Sequence, residues 1–277
     1  MLVSLPKRAL LIAAVTTLVG CSARALPVTA PGTPENPLRI VATTSALPLV
    51  MEAAASYTNP ELTLEVRSGN YRQALDALRR GEAHLIFTTH LDGADAGTLW
   101  AAPVAQDAIA LVVHPDNPIE ALTLTQIQQA FQGRITIWAE FGGDAEPLMV
   151  VSREDGSGIR AEFEQAVMGR RQTTGAALNA SSSYGVLHAV AENPGALGYI
   201  SLASVDNTVR ALAVNGVLPT MESISDNTYP LRSTVFVAGK APPAGASLAF
   251  IGWMQSLEGQ AAFGRLYQPV LATPEAD

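Results

Sequence analysis

Cysteine is almost absent from the sequence: Cys21 is the single one among 277 residues. A lone thiol excludes an intramolecular disulfide, a cysteine-ligated zinc site and a dithiol redox pair. Charged residues are also few, at 15% of the chain, and the formal net charge is -8. Because no basic cluster with interleaved aromatic residues offsets that charge, the composition argues against a nucleic-acid partner. Beyond the first twenty residues, no apolar run is long enough to span a membrane.

An apolar run, residues 9–19, follows Lys7 and Arg8. The run is too short for a permanent membrane span but suits a signal-peptide core. Residues 18–21, Leu-Val-Gly-Cys, resemble a bacterial lipoprotein box, in which the cysteine carries the lipid. We therefore expect a lipoprotein signal peptide over residues 1–20, lipidation of Cys21, and a mature protein anchored to the bacterial cell membrane outside the cytoplasm. The alternative is a cleaved signal peptide followed by an incidental cysteine.

Residues 21–37 contain four prolines among small residues and show no apolar periodicity, which predicts a flexible tether. The remaining stretch of about 240 residues is enough for one large domain or two lobes with a substantial core. From Leu38 onward, strand and helix patterns alternate. That alternation predicts an α/β architecture with largely parallel strands.

Hydroxyl-bearing residues follow each of the first three predicted strands. In an open α/β sheet such loops meet at the carboxyl edge of the strands, where ligands usually bind. The sequence therefore predicts a ligand crevice at this edge. The candidate residues are Thr43, Thr44 and Ser45 after the first strand, Ser68 after the second, and Thr88 and Thr89 after the third.

Residues 152–160, Ser-Arg-Glu-Asp-Gly-Ser-Gly-Ile-Arg, precede a helical pattern and have the chemistry of a loop that holds a small oxyanion. Arg153 can give paired charge-assisted hydrogen bonds, and Ser157 and Gly158 stand where a helix start offers free N–H groups. A carboxylate facing an anion is repulsive unless the ligand donates a proton, so Asp155 would suit hydrogen phosphate. The alternative is an ordinary helix-capping turn.

Four segments occur in a fixed order along the chain: residues 103–113, 124–138, 152–158 and 194–201. Together they resemble the type II extracytoplasmic solute-binding proteins, and most closely the phosphate-binding lipoproteins of phosphate ABC transporters. The resemblance implies two α/β lobes, residues 38–109 with 202–277 and residues 110–201, joined by two hinge crossings. It further implies a monomer that closes on phosphate and delivers it to a membrane permease, with no enzyme activity, cofactor or metal.

Carried over by this resemblance, Arg153 is the oxyanion-pairing arginine and Asp155 the acceptor of the ligand's proton. The same comparison makes Ser157, Gly158 and residues 43–45 hydrogen-bond donors. Three places depart from the family pattern. The second loop is less glycine-rich, with Tyr71 and Arg72 close to where a small donor is expected. Thr88 and Thr89 replace an acidic residue, and Ile159 stands where many members have threonine. A binding protein for molybdate or tungstate, or a sensor or scaffold lipoprotein of the same fold, therefore remains an alternative.

A different class of function, catalysis by an enzyme, is the other hypothesis. Ser157 could act as a nucleophile with a histidine as base, but the chain lacks the G-x-S-x-G elbow that exposes such a serine. A donor loop explains residues 155–158 better. Among the histidines, His90 follows the third predicted strand, where an imidazolium could attract an anion.

Overall fold

The computed structural model describes residues 36–270. The predicted signal peptide, Cys21 and nearly all of the predicted tether lie outside the described residues. No helix within the described part is long and apolar enough to cross a bilayer.

The α/β alternation predicted from the sequence is confirmed. The first part of the chain forms β1 (Leu38–Thr43), α1 (Leu47–Ser56), β2 (Leu64–Gly69), α2 (Tyr71–Arg80), β3 (Leu85–Thr88), α3 (Gly93–Ala96) and β4 (Trp100–Val113). The middle part forms β5 (Ala121–Leu122), α4 (Leu124–Phe131), β6 (Met149–Arg153), α5 (Gly158–Phe163), β7 (Leu178–Ala180), α6 (Ser183–Ala191) and β8 (Ala196–Ser201). The last part forms β9 (Arg210–Ala211), β10 (Ala213–Val214), α7 (Met221–Ser225), β11 (Arg232–Gly239), α8 (Gly245–Met254), α9 (Leu257–Phe263) and β12 (Gln268–Pro269).

Local sequence signals fix the helix that begins beside the candidate site. Asn70 caps α2, because its side chain accepts a hydrogen bond from the Gln73 amide while the Gln73 side chain accepts one from the Asn70 amide. This reciprocal pair satisfies two N–H groups that a helix start otherwise leaves free. Gly81 ends the helix with φ +74°, a conformation that favours glycine.

One sheet runs through the molecule in the order β2-β1-β3-β11-β4-β8-β6-β7. β1 lies parallel to β2 and β3, while β11 lies antiparallel to β3 and β4. The long strand β4 joins the two halves, since residues 100–108 pair with β11 and residues 109–113 pair with β8. We call the half with β2, β1, β3 and β11 the first lobe and the half with β8, β6 and β7 the second lobe.

Each lobe buries apolar side chains on both faces of its sheet, as parallel strands require. In the first lobe one face packs Ile40, Leu49, Phe87 and Phe250, and the other packs Val41, Ala74, Leu78 and Ile86. In the second lobe one face packs Phe131, Trp138, Phe163 and Tyr199, and the other packs Val112, Val151, Val186 and Ile200.

The chain returns to the first lobe later in the sequence than expected. The resemblance placed this return at residue 202, yet Ala211 pairs with Val112 of β4, and residues 212–231 contribute to the core of the second lobe. The chain re-enters the first lobe at the start of β11. There the Ile109 amide donates a hydrogen bond of 2.8 Å to the Leu231 carbonyl, so the two crossings lie side by side. Strands of two residues carry no periodic pattern, which is why the sequence did not reveal β9 and β10.

Candidate functional site

Contacts between the lobes bring the predicted loops together. The Arg72 amide at the start of α2 donates to the Gly156 carbonyl at 3.2 Å. Nη2 of Arg153, at the end of β6, donates to the Thr44 hydroxyl at 3.0 Å. The loops after β1 and β6 therefore meet across the boundary between the lobes.

Arg153 is almost fully buried, with 1% of the residue exposed. Its Nε donates to the Ala180 carbonyl at 3.2 Å and to Glu154 at 3.0 Å, and Nη2 also reaches Glu154 at 3.2 Å. Nη1 is buried and has no hydrogen-bond partner among the described residues. A buried donor without a partner is costly, and an anionic oxygen is the acceptor that satisfies a guanidinium best.

Three predicted hydroxyls form a connected row on the first lobe. The Thr43 and Ser45 oxygens lie 3.2 Å apart, and the Ser45 and Thr89 oxygens lie 3.4 Å apart. All three residues are buried. Because a hydroxyl both donates and accepts, such a row can contact an oxyanion in more than one protonation state.

Two other predicted residues are placed differently. The Thr88 hydroxyl accepts from the His90 amide at 3.1 Å and donates to the His90 carbonyl at 3.0 Å, so it stabilises the turn after β3. Ser68 is exposed near the end of β2, beside Ala42 of β1. Within residues 36–270 the structure gives Ser68 no side-chain contact with the row of hydroxyls.

The helix predicted after the oxyanion loop is confirmed. α5 begins at Gly158, continues as a π-helical turn over Glu164–Met168, and ends before Gly169. Ser157 is buried at the cap position, and its side chain makes no hydrogen bond to the helix N–H groups. A Cβ added to Gly158 would lie 3.2 Å from the His90 Cβ and 3.3 Å from the Thr88 hydroxyl. Glycine at this position therefore lets the two lobes approach closely.

Asp155 does not lie beside Arg153. Its side chain is 83% exposed and pairs with Nη1 of Arg160 at 2.8 Å. The same Arg160 nitrogen donates to the Arg153 carbonyl at 2.9 Å, while Arg160 Nε pairs with Glu164 at 2.8 Å. The residue that neutralises Arg153 is instead Glu154, which the sequence did not single out. This placement is not the one expected of a group that accepts a proton from a ligand held by Arg153.

A cavity of about 640 Å³ lies beside the oxyanion loop, between residues 71–95 of the first lobe and residues 155–164 of the second lobe. Its lining carries both signs of charge and includes Tyr71, Arg72, Asp155 and Arg160, but not Arg153. This cavity and the buried guanidinium are therefore separate features, and the buried guanidinium donor without a partner among the described residues is the stronger indication of an anion site. His90 also borders this cavity. Burial lowers the pKa of His90, which disfavours the imidazolium that the sequence suggested as an attraction for anions.

In residues 36–270, no group of three or more His, Cys, Asp or Glu side chains is arranged to hold a metal ion.

Asp155→Asn is expected to change anion affinity by less than about fivefold, because an exposed ion pair contributes little. It should also leave the ratio of phosphate to sulfate affinity unchanged. Competition binding with both anions measures this ratio. A tenfold or larger loss of discrimination would show that Asp155 reaches the ligand after all.

Comparison with known proteins places this geometry in context. The sequence model of the PBP superfamily domain matches residues 27–258. The phosphate-binding protein PstS of Bacillus subtilis is 28% identical over 227 residues, which cover 79% of this chain and 75% of that protein.

Two solved structures are similar as well. A candidate phosphate ABC transporter substrate-binding protein from Clostridium perfringens, solved with bound phosphate, is 30% identical with a TM-score of 0.81, covering 85% of this chain and 100% of that one. An ABC-type phosphate transport receptor from Vibrio cholerae is 27% identical with a TM-score of 0.70, covering 84% of this chain and 100% of that one.

Proposed function

The chain belongs to the PBP superfamily, and we propose that it is an extracytoplasmic solute-binding protein that captures phosphate for an ABC transporter. The observation that carries the proposal is the buried Nη1 of Arg153, a guanidinium donor without a partner in the described residues, at the meeting of the two lobes. The similar proteins from Bacillus subtilis, Clostridium perfringens and Vibrio cholerae are all named for phosphate.

The chemistry of the surrounding groups supports a small oxyanion. Arg153 supplies a fixed cation, Thr44 already contacts that cation, and the row formed by Thr43, Ser45 and Thr89 supplies hydroxyls. Hydrogen phosphate needs both donors and an acceptor for its own proton, and hydroxyls provide both. The bound anion would then be enclosed between the lobes, and its release to a permease would require them to separate.

Calorimetry tests the proposal with protein that has been delipidated and stripped of carried ligand. Phosphate, sulfate, molybdate and tungstate are titrated separately under one set of conditions. We expect phosphate to bind most tightly and sulfate at least about tenfold more weakly, since one unmatched hydrogen bond in a buried site costs about 1.4 kcal/mol or more. Tighter binding of molybdate or tungstate would assign the site to another oxyanion. Absence of binding by all four would contradict capture of any of them.

We propose further that the mature protein is held at the membrane through lipid on Cys21. The several acyl chains of a lipoprotein cysteine hold a protein firmly, whereas one chain holds it only marginally. Cys21→Ser is therefore expected to abolish lipid labelling and to release the protein or leave it as an unprocessed precursor. Metabolic labelling with a fatty acid, followed by membrane fractionation, measures both effects. Equal labelling of the variant and the wild type would remove the claim.

A further inference from the structure

Glu162 connects the second lobe to two elements of the first lobe. It lies on α5 four residues after Gly158, so both residues share the helix face that meets the first lobe. The Ser233 hydroxyl at the start of β11 donates to the two Glu162 oxygens at 3.0 and 3.2 Å. Thr89, in the loop after β3, also hydrogen-bonds this carboxyl. One side chain thus holds two first-lobe elements that adjoin the candidate site.

The surroundings of Glu162 favour a neutral carboxyl. No Arg, Lys or His forms an ion pair with it in the part of the chain that the structure describes. Glu162 is partly buried, and this burial raises its pKa to about 8, because it outweighs the hydrogen bonds from Thr89 and Ser233, which lower the pKa. The nearby carboxylate of Asp107 acts in the same direction as burial. Asp107 comes from β4 and is itself buried, with the Ser201 hydroxyl donating to it at 2.5 Å. The groups that face Glu162 from β11 and from the loop after β3 are the uncharged hydroxyls of Ser233 and Thr89.

Glu162 is also connected to the candidate anion site. Thr89 links it to Ser45 and then to Thr43, through oxygen separations of 3.4 and 3.2 Å. Thr44, the neighbour of both residues in the chain, contacts Arg153. The protonation state of Glu162 therefore acts on the same loop that meets the anion-binding arginine.

We propose that Glu162 is a positioning residue for capture, whose protonated carboxyl fastens the second lobe to Thr89 and Ser233, so that closing the lobes takes up one proton from solvent. This inference rests on the proposed function, because it concerns closure around the anion. With the lobes apart, water reaches the carboxyl and its pKa returns towards the ordinary value of about 4.3. Closing then requires the carboxylate to gain a proton before it is buried.

The pH dependence of closing follows from the difference between the pKa of Glu162 in the open form and in the closed form. Below about pH 4.3 the carboxyl is protonated in both forms, so closing moves no proton. As the pH rises towards 8, closing takes up a proton and becomes less favourable by up to about tenfold per pH unit. Above pH 8 the penalty is constant.

Phosphate affinity measured between pH 5.5 and 9 tests the proposal in the wild type and in Glu162→Gln, whose amide mimics the neutral carboxyl. Phosphate changes its own protonation equally in both proteins, so the ratio of their Kd values isolates Glu162. We expect wild-type Kd divided by variant Kd to rise through this range and level off above pH 8.

Calorimetry in buffers of different ionisation enthalpy should show up to one more proton taken up by the wild type near pH 6.5. Glu222→Gln, at an exposed position of α7, is the matched control and should give a constant ratio.

A second measurement needs no ligand. Because closing takes up a proton, raising the pH from 5.5 to 8.5 should shift the ligand-free wild type towards the open form, which small-angle scattering measures as a larger radius of gyration, whereas Glu162→Gln should give equal radii at both pH values. If phosphate binds but the Kd ratio does not change with pH, the role of Glu162 is wrong. If the wild type does not bind phosphate, the proposed function is wrong, and a wild-type radius of gyration that does not change with pH would then overturn the role of Glu162 separately.

Discussion

Arg153→Ala is expected to weaken phosphate binding by tens to thousands of fold, or about 2–5 kcal/mol. The guanidinium is buried with Nη1 unpaired among the described groups, so the ligand would be the partner that satisfies it. Its removal would also leave Glu154 without its cationic partner. Calorimetry or competition binding measures the loss.

Two further variants sharpen this test. Arg153→Lys should restore binding only in part, because an ammonium is a point charge without the planar fork that holds two oxygens. Arg72→Ala is the matched control, since Arg72 is exposed and lines the cavity beside the oxyanion loop. We expect Arg72→Ala to change affinity by less than about fivefold. A larger loss from Arg72→Ala than from Arg153→Ala would place the anion site in that cavity.

Phe163→Ala is expected to destabilise the fold by about 3–5 kcal/mol. Phe163 is fully buried at the end of α5, where it stacks on Tyr199 with ring centres 4.0 Å apart and an interplanar angle of 6°. The ring centres of Phe163 and Phe131 also lie close together, 4.7 Å apart. The substitution removes these contacts and leaves a cavity beneath the helix that carries Gly158 and Glu162. Urea unfolding measures the loss as a lower midpoint with an unchanged slope.

Phe141→Ala is the control for this prediction. Phe141 is only partly buried in the second lobe, and its ring centre lies 5.7 Å from that of Trp138. Phe141→Ala should therefore lose clearly less folding stability than Phe163→Ala. A loss below about 1 kcal/mol for Phe163→Ala would mean that the aromatic stack does not hold α5 in place.

The parts of the fold that could be predicted from sequence are those set by local patterns. Continuous apolar runs such as residues 108–113 predict buried strands, and the glycine and serine residues before Ile159 predict the start of α5. Because parallel strands carry their following loops to one edge, the sequence could also indicate that the hydroxyls after β1 and β3 belong with Arg153. The 3.0 Å bond between Arg153 and Thr44, 109 residues apart, agrees with that inference.

The directions of individual carboxylates could not be predicted in the same way. Gly156 has φ +84°, so the chain reverses directly after Asp155, and that residue turns outward to Arg160 while Glu154 pairs with Arg153. No pattern of residue types specifies this choice. Glu162 carried no signal either, because its partners Thr89 and Ser233 belong to the other lobe and lie far away in the sequence.

A crystal structure of the protein with bound phosphate tests the central claim most directly. We predict that a phosphate oxygen lies about 2.7–2.9 Å from Nη1 of Arg153, the distance of a charge-assisted hydrogen bond, with the hydroxyls of the first lobe around the remaining oxygens. Phosphate found only in the cavity among Arg72, Asp155 and Arg160, with Nη1 of Arg153 still lacking a contact to it, would contradict capture by Arg153 and the hydroxyl row.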